Sequence, residues 1–144
     1  MRYLRLLVLA VLLVPAALPA DSFASPAEAR QLADRVVALF VAEKIVEGYD
    51  LLKPYWPLAP VEIDSLANQT GTQWPVVKQR FGASLGSEFI SLRQAGQSLV
   101  ELVYLHKFER HAIRWVFVFY KPADRWLING VSFDDSISLL FAAD

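Results

Sequence analysis

The chain has 144 residues, 14 basic and 15 acidic side chains for a net charge of −1, and no cysteine. With charge this small and this interspersed, nothing suggests a nucleic-acid or acidic-membrane partner, and a hydrophobic fraction of 55% excludes a disordered chain. Without cysteine the fold rests on core packing alone, with no disulfide and no lipid-modified cysteine after a leader.

The first twenty residues read as a secretory signal peptide. Arg2 and Arg5 make a positive n-region, Leu6 to Val14 is an unbroken apolar run, and Pro15 to Ala20 ends it in mostly small residues. The run is too short to cross a hydrocarbon core of roughly 30 Å, which takes about 20 residues as a helix. Cleavage after Ala20 leaves Asp21 at the new terminus, and cleavage after Ala24 leaves Ser25. The expected location is therefore the periplasm or the medium, with no stable membrane anchor, and the remainder is one domain of ordinary size.

Ser25, Pro26 and Glu28 carry the signals of a helix start: a capping hydroxyl, a proline for the first turn and the acid of a capping box. Leu32, Val36, Leu39, Phe40 and Ile45 recur at helical spacing up to Gly48, predicting one long helix over about Pro26 to Glu47. Tyr49 to Pro60 then mixes Tyr49, Tyr55 and Trp56 with three prolines, a packed but broken segment. Val61 to Gln69 reads as a short helix ended by Gly71. Thr72 caps a second short helix through Trp74, Val77 and Phe81, with Pro75 in its first turn and Gly82 as its stop.

After Gly82 the period changes. Ser84 to Gln94, Leu99 to Phe108, Ala112 to Tyr120 and Arg125 to Phe133 read as strands of an antiparallel meander, joined by Glu109-Arg110-His111 and by Pro122-Ala123-Asp124. Asp134 or Asp135 caps a short closing helix, Ser136 to Ala142. Helices first and strands afterwards make an α+β fold with helices on one sheet face.

That order, together with Arg80-Phe81-Gly82 and Trp126-Leu127-Ile128-Asn129-Gly130, resembles small exported bacterial members of the nuclear-transport-factor-like (SnoaL-like) superfamily over roughly Pro26 to Phe133. The resemblance implies a cystatin-like cone, a curved sheet wrapped around the long helix. It implies no single activity, since members include isomerases, dehydratases, cyclases and non-catalytic interaction domains.

A two-residue turn pairing Glu109 with Ala112 sets Phe108, His106, Tyr104 and Leu102 beside Ile113, Trp115, Phe117 and Phe119. This aromatic, nearly uncharged face is expected to point inward, and the face of Lys107, Glu101 and Arg114 outward. His106 and Tyr104 then stand inside the cone, where burial tunes a general acid or base. Tyr49, Tyr55, Trp56 and Trp74 either plug the wide end of the cone or line the mouth of a narrow apolar pocket. The candidate ligand-binding residues are Tyr49, Trp56, Trp74, Tyr104, His106, Trp115 and Phe117.

No catalytic set, metal site or cofactor is expected. His106 and His111 are the only histidines and no nearby carboxylates complete a ligand set. Gly82 and Gly86 lack the Lys of a phosphate loop, and Ser84, Ser87 and Ser91 lack a nucleophile-elbow context. The expected function is an exported, non-catalytic binding or protein-interaction module for a small apolar ligand or a protein partner. The alternatives are a small lyase or isomerase working through His106 or Tyr104, and a structural homodimer packed through the outward sheet face.

Overall fold

In the computed structural model, which describes residues 21–141, three helices precede a four-stranded antiparallel sheet of order β1-β2-β3-β4. Residues 1–20, which the sequence predicts to be a signal peptide, and the last three residues lie outside the described residues. Helix α1 is Pro26–Val41, α2 Ile45–Leu52 and α3 Pro60–Phe81, with a single 3-10 turn at Lys53–Tyr55. The strands are β1 Ser84–Ala95, β2 Leu99–Phe108, β3 Ala112–Tyr120 and β4 Leu127–Asp134.

The start of α1 is the one its sequence encodes. Ser25 Oγ accepts from the Glu28 N–H at 3.3 Å, and Glu28 reaches back to the Ala24 N–H at 2.8 Å. Its end differs from the expected one. The helix stops at Val41, Glu43 takes a left-handed φ of 62°, and α2 begins at Ile45. Gly48 is no stop: it lies within α2, where it lets that helix approach the ring of Phe40.

The two short helices expected from Val61 to Phe81 are one continuous helix that carries Gly71, Thr72 and Pro75 in its interior. Ile63, Ala67, Thr70, Trp74 and Phe81 keep one buried stripe through all three disfavoured residues, and packing of that stripe overrides local propensity. Pro60 occupies the first turn, and Glu62 closes the start by accepting the Ala59 N–H at 2.9 Å.

The β2–β3 register is shifted by two residues from the expected one. His106 pairs with Ile113, Tyr104 with Trp115 and Leu102 with Phe117, because the Phe108 N–H donates to the His111 carbonyl at 2.9 Å and the turn falls on Glu109-Arg110 instead of Arg110-His111. A shift of two preserves the faces, and the inner face is the aromatic one. Trp115, Phe117, Phe119, Leu102, Ile113 and Ile128 are fully buried there against Leu32, Val36 and Phe40 of α1. Each such side chain contributes about 1.5–3 kcal/mol relative to its exposed state. Register irregularities at Ser84/Gly86, Phe89/Ser91 and Val118/Phe119 bend the sheet, as bulges do.

One further correction and one further finding concern the ends. The closing helix is a 3-10 segment, Ile137–Phe141. Phe23 precedes α1 yet is buried, bridged to Trp126 by two backbone hydrogen bonds of 2.9 Å and stacked on Tyr55 with ring centroids 4.4 Å apart.

Candidate functional site

The seven candidate residues fall into the same core. Tyr49 comes from α2, Trp56 follows the 3-10 turn, Trp74 comes from α3, Tyr104 and His106 from β2, Trp115 and Phe117 from β3, and every one is buried. Phe40 stacks on Trp115 at 4.2 Å and tilts against Tyr49 at 5.5 Å, while Trp74 packs against Trp115 at 6.1 Å and His106 at 5.7 Å. These rings fill the space between helices and sheet.

His106 is committed at both ring nitrogens. Trp115 Nε1, which can only donate, points at His106 Nδ1 from 3.4 Å, and His106 Nε2 lies 2.6 Å from Ser84 Oγ. The neutral ring therefore carries its proton on Nε2 and donates to Ser84. Burial lowers its pKa to about 4, with the Glu43 carboxylate opposing that shift. The residue is a neutral hydrogen-bonding strut with no ring nitrogen left for substrate.

The phenols are engaged as well. Tyr104 Oη donates to Asp34 Oδ1 at 2.6 Å, and burial, then that carboxylate, holds its pKa well above the usual range. Arg30 lies beside this pair, 3.9 Å from Asp34 Oδ1 and 3.5 Å above the ring of Phe89. Tyr49 Oη shares a 3.0 Å hydrogen bond with Thr70 Oγ1, and burial raises its pKa too. Trp74 Nε1 is buried with no acceptor among the described residues. No group of three or more His, Cys, Asp or Glu among the described residues is placed to hold a metal ion.

Open space lies elsewhere. A groove of about 370 Å³ runs between the C-terminal half of α3 and the adjoining ends of β3 and β4. Val77, Phe81, Ile113 and Phe133 supply apolar lining, and Thr72, Gln73, Val76, Arg80, Asp134 and Asp135 complete it. None of the seven candidate residues is among its lining; Trp74 stands directly behind, with Phe133 edge-on to its ring at 6.2 Å. The expected apolar opening near Trp56 and Trp74 is thus displaced to the outer flank of α3. A second, shallow hollow of about 440 Å³ on the sheet includes Leu99 and Val118 beside the Arg93–Glu101 ion pair.

The β2–β3 loop fastens the end of α3 beside the groove. Arg110 donates from its guanidinium to the Gln79 carbonyl at 3.0 Å and the Arg80 carbonyl at 3.3 Å, placing a cation at the negative end of α3. Its backbone N–H donates to the Phe81 carbonyl at 2.9 Å, and Glu109 accepts the Ala83 N–H at 2.9 Å. Gly82, at φ 90°, makes the turn between helix and strand. On the far side Arg114 grips Asp134 through two bonds of 2.8 and 2.9 Å and, with the Ser136 N–H, holds its pKa below the usual carboxylate range. Of the two expected caps, Asp134 or Asp135, it is Asp134 that accepts the Ser136 N–H, at 2.8 Å, but nothing in the sequence signals that Arg80 and Phe133 face one opening.

No protein-family model matches the chain, and no curated protein or solved structure matches it either.

Proposed function

We propose that this protein is a non-catalytic binding module whose ligand enters the α3–β4 groove. The observation that carries this reading is the groove itself: a concave, partly apolar opening on rigid elements, beside a core that is otherwise packed. Small-molecule sites are built from an apolar lining with a few placed polar groups. The enzymatic alternative loses support from the same geometry, because His106 and Tyr104 spend their polar atoms inside the protein.

The finer reading of the fold as a nuclear-transport-factor-like cone rests on element order, on the bent antiparallel meander and on α1 packed against its inner face. The reading of an exported protein rests on the leader composition.

A neutral apolar fluorophore, N-phenyl-1-naphthylamine, tests the groove. Its fluorescence should rise on binding, and Val76→Arg, at a position 54% exposed and therefore tolerant, should abolish the rise. Tyr120→Arg, at an exposed position at the opposite end of β3 from Ile113, should leave it unchanged. Equal binding by all three proteins would refute the groove as the site.

A further inference from the structure

We propose that the groove selects an amphiphile with one apolar tail and one carboxylate head, the head held by Arg80. This rests on the groove being the ligand site and adds the chemistry of the ligand.

Three charged side chains line the groove: Arg80, Asp134 and Asp135. Asp134 is spent on Arg114 and the Ser136 N–H. The neighbouring cations at this end of α3 are spent too, Lys78 on Glu43 at 2.8 Å and Arg110 on two helix carbonyls. Arg80, alone of these cations, makes no ion pair and no side-chain hydrogen bond among the described residues, and the Asp135 carboxylate makes none either. The Arg80 guanidinium carbon lies 5.0 Å from the centroid of the Phe81 ring, a ring that belongs to the groove lining. A cation with no anionic partner among the described residues therefore stands at the edge of an apolar floor.

Asp135 forms part of the same lining and does not reach Arg80 as an ion pair. Carboxylate heads are drawn to Arg80, whose planar fork matches them in two-point geometry, and repelled from Asp135. The polar end thus sits on the helix side and the tail lies over Phe81, Ile113 and Phe133. At about 370 Å³ the opening is at the small end of known ligand sites, fitting a single tail.

Calorimetric titration of the purified protein with decanoate, decanol and decylamine, each kept monomeric, separates the possibilities. Decanoate should bind about fivefold tighter than decanol, the scale of one exposed ion pair, and decylamine weakest. Arg80→Gln should bring decanoate to the level of decanol without weakening decanol, Arg80→Lys should restore part of the preference, and Asp135→Asn should tighten decanoate. Equal binding of decanoate and decanol, unmoved by Arg80→Gln but lost in Val76→Arg, would overturn the carboxylate assignment while leaving the groove as the site. Tightest binding of decylamine would overturn it as well, moving the head to Asp135. Failure of all three amphiphiles and of the neutral fluorophore would overturn both readings together.

Discussion

The ring of Phe40 fills the space that a side chain on Gly48 would need. A Cβ built there would lie 2.8 Å from Phe40 Cδ1 and 3.3 Å from Cζ, and closer still to Cε1. Phe40 is itself fully buried and stacked on Trp115, so it has nowhere to move.

Gly48→Ala should therefore destabilise the protein, although alanine is the better helix former by about 1 kcal/mol. Overpacking of this kind costs about 1–3 kcal/mol, and the net loss should appear as a lower midpoint in urea denaturation with an unchanged slope. A higher midpoint would mean that α1 and α2 can separate freely at this point.

His106 makes stability depend on pH. Its proton affinity is lower in the folded than in the unfolded chain, about 4 against an ordinary 6.5, so the unfolded state binds more protons between those values. Its contribution is intact above the unfolded value and is lost as pH falls through the window, about 3 kcal/mol in all. His106→Gln, which can still accept from Trp115 and donate to Ser84, should flatten the stability profile between pH 6.5 and 4. Unfolding free energies measured across that range in both proteins check this, and parallel profiles would contradict it.

Arg110 should matter to the helix more than to its own loop. Arg110→Ala removes the donors to the Gln79 and Arg80 carbonyls and should cost about 1 kcal/mol or somewhat more. Amide exchange should quicken at Gly82 and Ala83, with little change in the middle of α1. Uniform acceleration across the chain would show a global effect instead.

Under the proposed export, processing should leave Asp21, not Ser25, as the first residue. The Asp21 N–H donates to the Pro54 carbonyl at 2.7 Å, and Arg125 holds Ser22 through its hydroxyl and its carbonyl. Cutting after Ala24 would discard these bonds and the buried ring of Phe23, a loss of about 3 kcal/mol or more. Intact-mass measurement of the exported protein identifies the terminus, and denaturation of a chain begun at Ser25 measures the loss.

Periodicity made the main architecture legible. The inner strand face from Leu102 to Phe108 and from Ile113 to Phe119 could be read because alternation survives a two-residue slip. The slip itself could not, since no Gly or Asn marks the turn at Glu109-Arg110, and Arg110 is tied to α3 carbonyls about thirty positions away in the chain. Gly48, Gly71 and Pro75 misled for one reason. Each is a local breaker whose effect is outweighed by a buried stripe or a close helix contact. The groove was illegible because it is bounded by α3 and by strand ends that only the folded chain brings together, whereas the aromatic residues that drew attention were numerous enough to pack on one another.

The bridge between Phe23 and Trp126 gives the fold a latch. Ser22 and Arg125, which flank it, are separated by 103 positions, so this contact closes nearly the whole described chain into one loop. Loop-closure entropy opposes it until the intervening elements have condensed, so it forms late on the folding route. Weakening it, as Phe23→Ala does, should leave the refolding rate nearly unchanged and quicken unfolding. The lifetime of the native state, more than the speed of reaching it, should then depend on Ser22 and Phe23 at the amino-terminal edge of the domain.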